Sequence, residues 1–200
     1  MALSLPVRRP FNFAHLLTSV RLLLIPFFLS AIEAGRQQPD ALTASSVTLL
    51  FLLICASDYY DGPLARVLGL DSDLGKILDN LADITFLLVT LSYLVYHHVV
   101  PWWIPTAIAL AFSQYVIDSW LLARRKTTVV LIANSMGHWA GILNYIFTGV
   151  MALHAALRQQ LLPELFYNIL LTFWLTYLLL AMSARLRFFL RAYYTSSLVH

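Results

Sequence analysis

The stretch 57-SDYYDGPLARVLGLDSDLGKILDNLAD-83 carries six of the ten acidic residues of a chain that is 60% hydrophobic. A carboxylate set in an apolar segment is costly unless it is paired, protonated or bound to a cation. Asp58 and Asp61 are three residues apart where one apolar run ends, and Asp79 and Asp83 are four apart where the next begins. On a helix or helix end, each pair shares a face. Two helix ends therefore present four carboxylates to one space. Gly75 lies one turn before Asp79 on the same side and removes a side chain where another backbone or a ligand comes close. Asp71 and Asp73, between the two pairs, read as solvated loop acids.

The runs on either side place this stretch in a bilayer. The chain has 200 residues and a mean hydropathy of +0.75, outside the range of an ordinary soluble domain. A span takes about 20 mainly apolar residues. Runs at roughly 19–34, 43–58, 76–99, 101–123, 128–157 and 163–186 predict an all-α, polytopic membrane protein of six transmembrane helices, one domain over 1–200.

Basic residues collect on the cytoplasmic side of a membrane protein. On the six-span arrangement one face receives Arg8, Arg9, Arg21, Arg66, Lys76, Arg124, Arg125, Lys126, Arg185, Arg187 and Arg191, while the other receives only Arg36 and Arg158. Both termini are thus expected to be cytoplasmic. The acidic stretch then faces the cytoplasm, from the cell inner membrane, where nucleotides and Mg²⁺ are available. The net charge of +3 is explained by this topology and by anionic membrane lipids, with no nucleic-acid partner needed. Arg8-Arg9 before an apolar run resembles a twin-arginine export signal, but Arg21 interrupts that run and five more follow. The single Cys55 lies in an apolar run and reads as packing.

Four carboxylates with only Arg66 and Lys76 nearby in sequence call for a hard divalent cation, Mg²⁺ or Mn²⁺. Four acids suffice to bridge two ions at about 4 Å. The segment from Gly62 to Arg66 adds a flexible backbone and a guanidinium suited to phosphate. Acids, metal and phosphate grip together point to phosphoryl transfer. A divalent-cation channel or transporter is the competing reading, since acids near a bundle interior also mark ion paths. Such a path has no use for Gly62, Ala65, Arg66 and Gly75 at fixed intervals.

The spacing Asp58-x2-Asp61-Gly62-x2-Ala65-Arg66-x8-Gly75-x3-Asp79-x3-Asp83 resembles the complete signature of the CDP-alcohol phosphatidyltransferase family. The resemblance implies transfer of a phosphatidyl group from CDP-diacylglycerol to an alcohol acceptor, with release of CMP. It implies that Asp58, Asp61, Asp79 and Asp83 serve a two-metal centre, with Asp83 also the general base. Gly62, Ala65 and Arg66 would hold the CDP diphosphate, beside the clearance that Gly75 leaves. A homodimer packed through membrane helices is implied as well.

Within the family, 17-LTSVRLLLIP-26 is similar to the opening of phosphatidylglycerophosphate and cardiolipin synthases, which places Thr18 and Arg21 at the border of nucleotide or acceptor. Other positions depart from that subgroup. Ile84 stands where a lysine is usual, Gly137-His138 where Gly-Lys is usual, and the arginine usual in the fourth span has no counterpart. No Lys or Arg lies between Lys76 and Arg124 or between Lys126 and Arg158. The polar line of Asn134, His138 and Tyr145, with Gln114 and Asp118 on the preceding span, suits a hydroxyl-rich or zwitterionic acceptor. Glycerol 3-phosphate, carrying nearly two negative charges beside four aspartates, is therefore not the expected preference.

Overall fold

The computed structural model describes residues 13–67, 73–123 and 135–197, with side chains at 18–60, 67, 77–121 and 139–190. These residues form six α-helices: α1 (Phe13–Gln37), α2 (Ala41–Val67), α3 (Asp73–Tyr96), α4 (Trp103–Ala123), α5 (Ser135–Ala156) and α6 (Glu164–Ser197). The all-α expectation holds. Helix is the form that satisfies every backbone N–H and C=O within its own segment, which an apolar medium demands. Five of the helices are long and apolar enough to cross a membrane, over Thr18–Gln37, Ala41–Tyr60, Ile77–Tyr96, Trp139–Ala156 and Glu164–Leu190. Helix α4 has 21 residues, but Gln114 and Asp118 interrupt its apolar run.

Several helices run past the expected spans, α2 and α6 furthest, with α6 continuing to Ser197 rather than ending near residue 186. The second helix does not stop at Asp58: it continues through Asp61, Gly62, Ala65 and Arg66 to Val67, so the segment expected to be flexible has helical backbone. Continuing the helix keeps its backbone groups bonded where the apolar run gives out. The fifth helix is described from Ser135, and its expected start near residue 128 lies outside the described residues.

The short link between α1 and α2 is closed by a reciprocal cap. The Thr43 N–H donates to Asp40 Oδ1 at 2.7 Å, and the Asp40 N–H donates to the Thr43 hydroxyl at 3.2 Å. These bonds favour the ionised form and hold the Asp40 carboxyl below its usual range. Helices α3 and α5 both end in left-handed residues, His98 and Arg158, with the Val99 N–H reaching back to the Leu94 carbonyl and the Gln159 N–H to that of His154.

Helix α1 packs against α2, α3 and α5, and α4 packs against α3 and α6. At the centre Phe28, Phe51 and Phe86 bring one ring each from α1, α2 and α3, with centroids 5.7–6.5 Å apart. Close approaches are made at glycines. A Cβ on Gly35 would meet the Ala156 Cβ and carbonyl oxygen at 2.8 Å, and one on Gly149 would meet the Phe51 ring at 2.5 Å. Small residues let helix backbones approach where lipid supplies no hydrophobic drive to association. At one end of the bundle the Arg158 guanidinium donates to the carbonyls of Arg36 and Gln37, closing the C-terminus of α1. The acidic residues of α2 and α3 lie at the opposite end of these helices.

Candidate active site

The C-terminal part of α2 and the N-terminal part of α3 bring Asp58, Asp79 and Asp83 together, with one carboxylate oxygen of each lying within 4.8 Å of the others. The spacing of four on α3 puts Asp79 and Asp83 on one face, and that face meets the end of α2. Arg21 of α1 is the counter-ion. Its side chain is 0% exposed, and the guanidinium pairs with Asp58 Oδ1 at 3.0 Å, Asp79 Oδ1 at 3.0 Å and Asp83 Oδ1. Three carboxylates thus share one guanidinium, and their oxygens form a donor set of the hard, anionic kind that suits Mg²⁺ or Mn²⁺. Asp83 has a further partner: the Tyr145 hydroxyl, from α5, donates to its Oδ1 at 2.7 Å.

Asp83 also opens onto a cavity of about 360 Å³ between α3, α4, α5 and α6. The volume suits a small-molecule fragment rather than a single water. Its polar lining comes from Asn80, Gln114, Tyr115, Asn144, Tyr145 and Arg185, and its apolar lining includes Ile84, Leu87 and Phe112. Gln114 donates to the Met182 carbonyl at 3.2 Å, tying α4 to α6. Arg185 lies over the Tyr115 ring, 4.1 Å from its centroid, and its Nε faces Asp118 Oδ2 at 3.5 Å.

Several expected site residues are gathered here. Asp58, Asp79 and Asp83 converge, and Arg21 joins them directly rather than bordering them. Thr18, one turn before Arg21 on α1, is buried. Gln114 lines the cavity, and Asp118 stands behind its wall, reaching it through Arg185. Asp61, Gly62, Ala65 and Arg66 lie on α2, Gly75 on α3 and His138 on α5, but their side chains are outside the described residues. Asn134 lies outside them altogether.

Two residues take parts that the sequence reading did not assign. Arg185 was placed among the anchors of the basic face, yet it lines the cavity. Only the packing of α6 on α4 brings it there. Tyr145 stood among acceptor candidates, and its spacing of seven from His138 does put both on one helix face. Its hydrogen bond to Asp83 depends on how α5 meets α3.

Residues 11–184 match the family model of the CDP-alcohol phosphatidyltransferases. Among curated relatives, the CDP-diacylglycerol–glycerol-3-phosphate 3-phosphatidyltransferase of Bacillus subtilis (strain 168) is 30% identical over 146 residues, covering 66% of this chain and 74% of the relative. The Escherichia coli (strain K12) protein of the same name is 26% identical over 173 residues, covering 74% of this chain and 92% of the relative. A probable phosphatidylglycerophosphate synthase of Mycobacterium tuberculosis (strain ATCC 25618 / H37Rv) is 33% identical over 97 residues, covering 48% of this chain and 46% of the relative. The matched region contains the carboxylate cluster, its arginine and the lining of the cavity up to Met182, and the chain belongs to the CDP-alcohol phosphatidyltransferase family, as an integral membrane phosphotransferase of phospholipid synthesis.

Proposed function

We propose that this protein transfers a phosphatidyl group from CDP-diacylglycerol to a small alcohol bound in the cavity beside Asp83, releasing CMP. The observation that carries this reading is the convergence of Asp58, Asp79 and Asp83 where one of them opens onto that cavity. A metal pair for proton-independent charge neutralisation would be held by these three with Asp61, and two Mg²⁺ or Mn²⁺ ions would offset the charge of the diphosphate. Gly62, Ala65 and Arg66 would grip that diphosphate, with Gly75 leaving room for it. Thr18 would stand at its border. The site would face the cytoplasm of a six-span protein with both ends inside.

In the reaction Asp83 takes the proton of the acceptor hydroxyl. The acceptor oxygen bonds to the phosphorus that carries the diacylglycerol, the bond from that phosphorus to the CMP oxygen breaks, and CMP leaves with the electron pair. The proton on Asp83 returns to solvent. Arg21 keeps the carboxylates from repelling one another apart while they wait for substrate.

The acceptor is read as a small alcohol of low net charge. Arg185 is the cationic residue among the described lining of the cavity, and Asp118 faces it, so the wall offers little unopposed positive charge. A second reading is favoured by Arg185 itself and by the names of the relatives: glycerol 3-phosphate, with its phosphate on that guanidinium. Purified protein given CDP-diacylglycerol and Mg²⁺ should release CMP, lose that activity in EDTA and regain it with Mg²⁺ or Mn²⁺. Offering glycerol 3-phosphate against serine and inositol at equal concentration, with lipid products identified by mass, decides the acceptor. Dominant phosphatidylglycerophosphate would establish the second reading, and full turnover without metal would remove the two-metal centre.

A further inference from the structure

We infer that Tyr145 is a positioning residue for Asp83: its hydroxyl fixes one carboxylate oxygen so that the other is presented to the acceptor hydroxyl. The inference rests on the role proposed above for Asp83 as the base. Tyr145 donates to Asp83 Oδ1 at 2.7 Å, and Arg21 Nη1 donates to the same oxygen. Rotation of the carboxylate would break both bonds at once. Both of these described bonds end on Oδ1 rather than Oδ2. Asp83 and Tyr145 both line the cavity, so the fixed carboxylate stands at the place where the acceptor enters.

The tyrosine is itself held at both ends. Its ring stacks on Phe86, with centroids 5.4 Å apart and planes 28° apart, and Phe86 is fully buried. Phe86 follows Asp83 by three residues on α3, so ring and hydroxyl grip the same face of one helix. Behind Phe86 lie Phe28 and Phe51. On α5 the residue before Tyr145 is pinned in turn, because the Trp174 indole N–H donates to Asn144 Oδ1 at 2.9 Å. A stack of rings from four helices thereby sets where one hydroxyl lies.

A phenol suits this task better than a cation. It orients the carboxylate through one strong hydrogen bond and adds no positive charge to compete with metal or with Arg21 for the same oxygens. Proton abstraction depends on alignment, and a displacement of about 1 Å in a reacting group can cost roughly a hundredfold in rate. The consequence is a residue that touches no reacting bond and yet governs turnover.

Tyr145→Phe keeps the ring stack and removes only the hydroxyl. The expected result is a kcat lower by about 10- to 100-fold, a KM for CDP-diacylglycerol within about threefold of wild type, and a melting temperature in detergent within about 4 °C. A second pair separates hydrogen bonding from packing: Tyr145→Gln and Tyr145→Leu both lose the ring, but only the first keeps a donor, and it should turn over faster. A wild-type kcat in Tyr145→Phe would overturn the inference, as would equal rates for the Gln and Leu variants. Absence of CMP release from the wild-type protein would sink the proposed function instead, so the two failures are distinct.

Discussion

Arg21 and the carboxylates around it show how one residue settles the character of a site. A fully buried guanidinium would be prohibitive alone, and a cluster of three carboxylates would be nearly so, but together each supplies what the other lacks. Breaking such an arrangement from one side leaves the partner charge uncompensated. Asp58→Asn, Asp61→Asn, Asp79→Asn and Asp83→Asn should each remove nearly all CMP release while the protein still inserts, because each would take a carboxylate from the proposed metal centre or the proposed base. Asp71→Asn and Asp73→Asn should have little effect. Turnover assays on protein of matched melting temperature check this, and wild-type activity in Asp83→Asn would remove it as the base. The convergence of Asp58, Asp79 and Asp83 was legible in the sequence because the spacing of each pair is local, while the side chain of Asp61 lies outside the described residues. Arg185 was not, since a lone arginine near the end of an apolar run reads equally well as an anchor.

At the scale of helices, the contacts that hold the site in shape are made where side chains are smallest. Gly35 brings α1 against α5, and Gly149 brings α5 against α2. Gly35→Ala would press a methyl group against backbone, which cannot give way. Gly35→Ala and Gly149→Ala should each destabilise the bundle by about 1–3 kcal/mol, read as a lower melting temperature in detergent. Gly141→Ala is the control, for a Cβ there meets nothing within 4 Å. On helix propensity alone it should be neutral or stabilising by up to about 1 kcal/mol. If all three behaved alike, close helix approach would not be what these glycines provide. The extension of α2 to Val67 belongs to the same scale: the segment from Gly62 to Arg66 was expected to have a flexible backbone, yet the helix carries on because its backbone groups are best satisfied that way.

For the whole molecule, the two ends of the bundle are chemically unlike. One holds Arg158 on the C-terminus of α1, with Arg36 near Glu33, and the other holds the carboxylate cluster with Arg21 and the cavity with Arg185. On the proposed arrangement of six spans with both termini inside, the cluster would face the cytoplasm. On a background of Cys55→Ser, Val67→Cys and Gln160→Cys test this. A membrane-impermeant maleimide applied to intact cells should label Gln160→Cys and leave Val67→Cys unlabelled until the membrane is opened. Both residues are exposed, so burial does not confuse the result. Labelling in the reverse order would invert the protein in its membrane.

What the sequence by itself determined was whatever depends on neighbours along the chain. Apolar runs of span length dictated helices, the spacings of three and four put carboxylates on shared faces, and the asymmetry of Lys and Arg pointed to an orientation. The signature from Asp58 to Asp83 was likewise complete in the linear order, and it led to the family. Only the tertiary structure decided which distant groups meet those faces. Arg21 reaches Asp83 across 62 positions, Tyr145 reaches it across another 62, and Arg185 comes to the cavity by the packing of α6 on α4. The physical reason is that helical periodicity fixes the direction of a side chain about its own axis but not which helix lies opposite. That choice is made by the fit of rings and glycines in the core, where Phe28, Phe51, Phe86, Gly35 and Gly149 make the close contacts between helices.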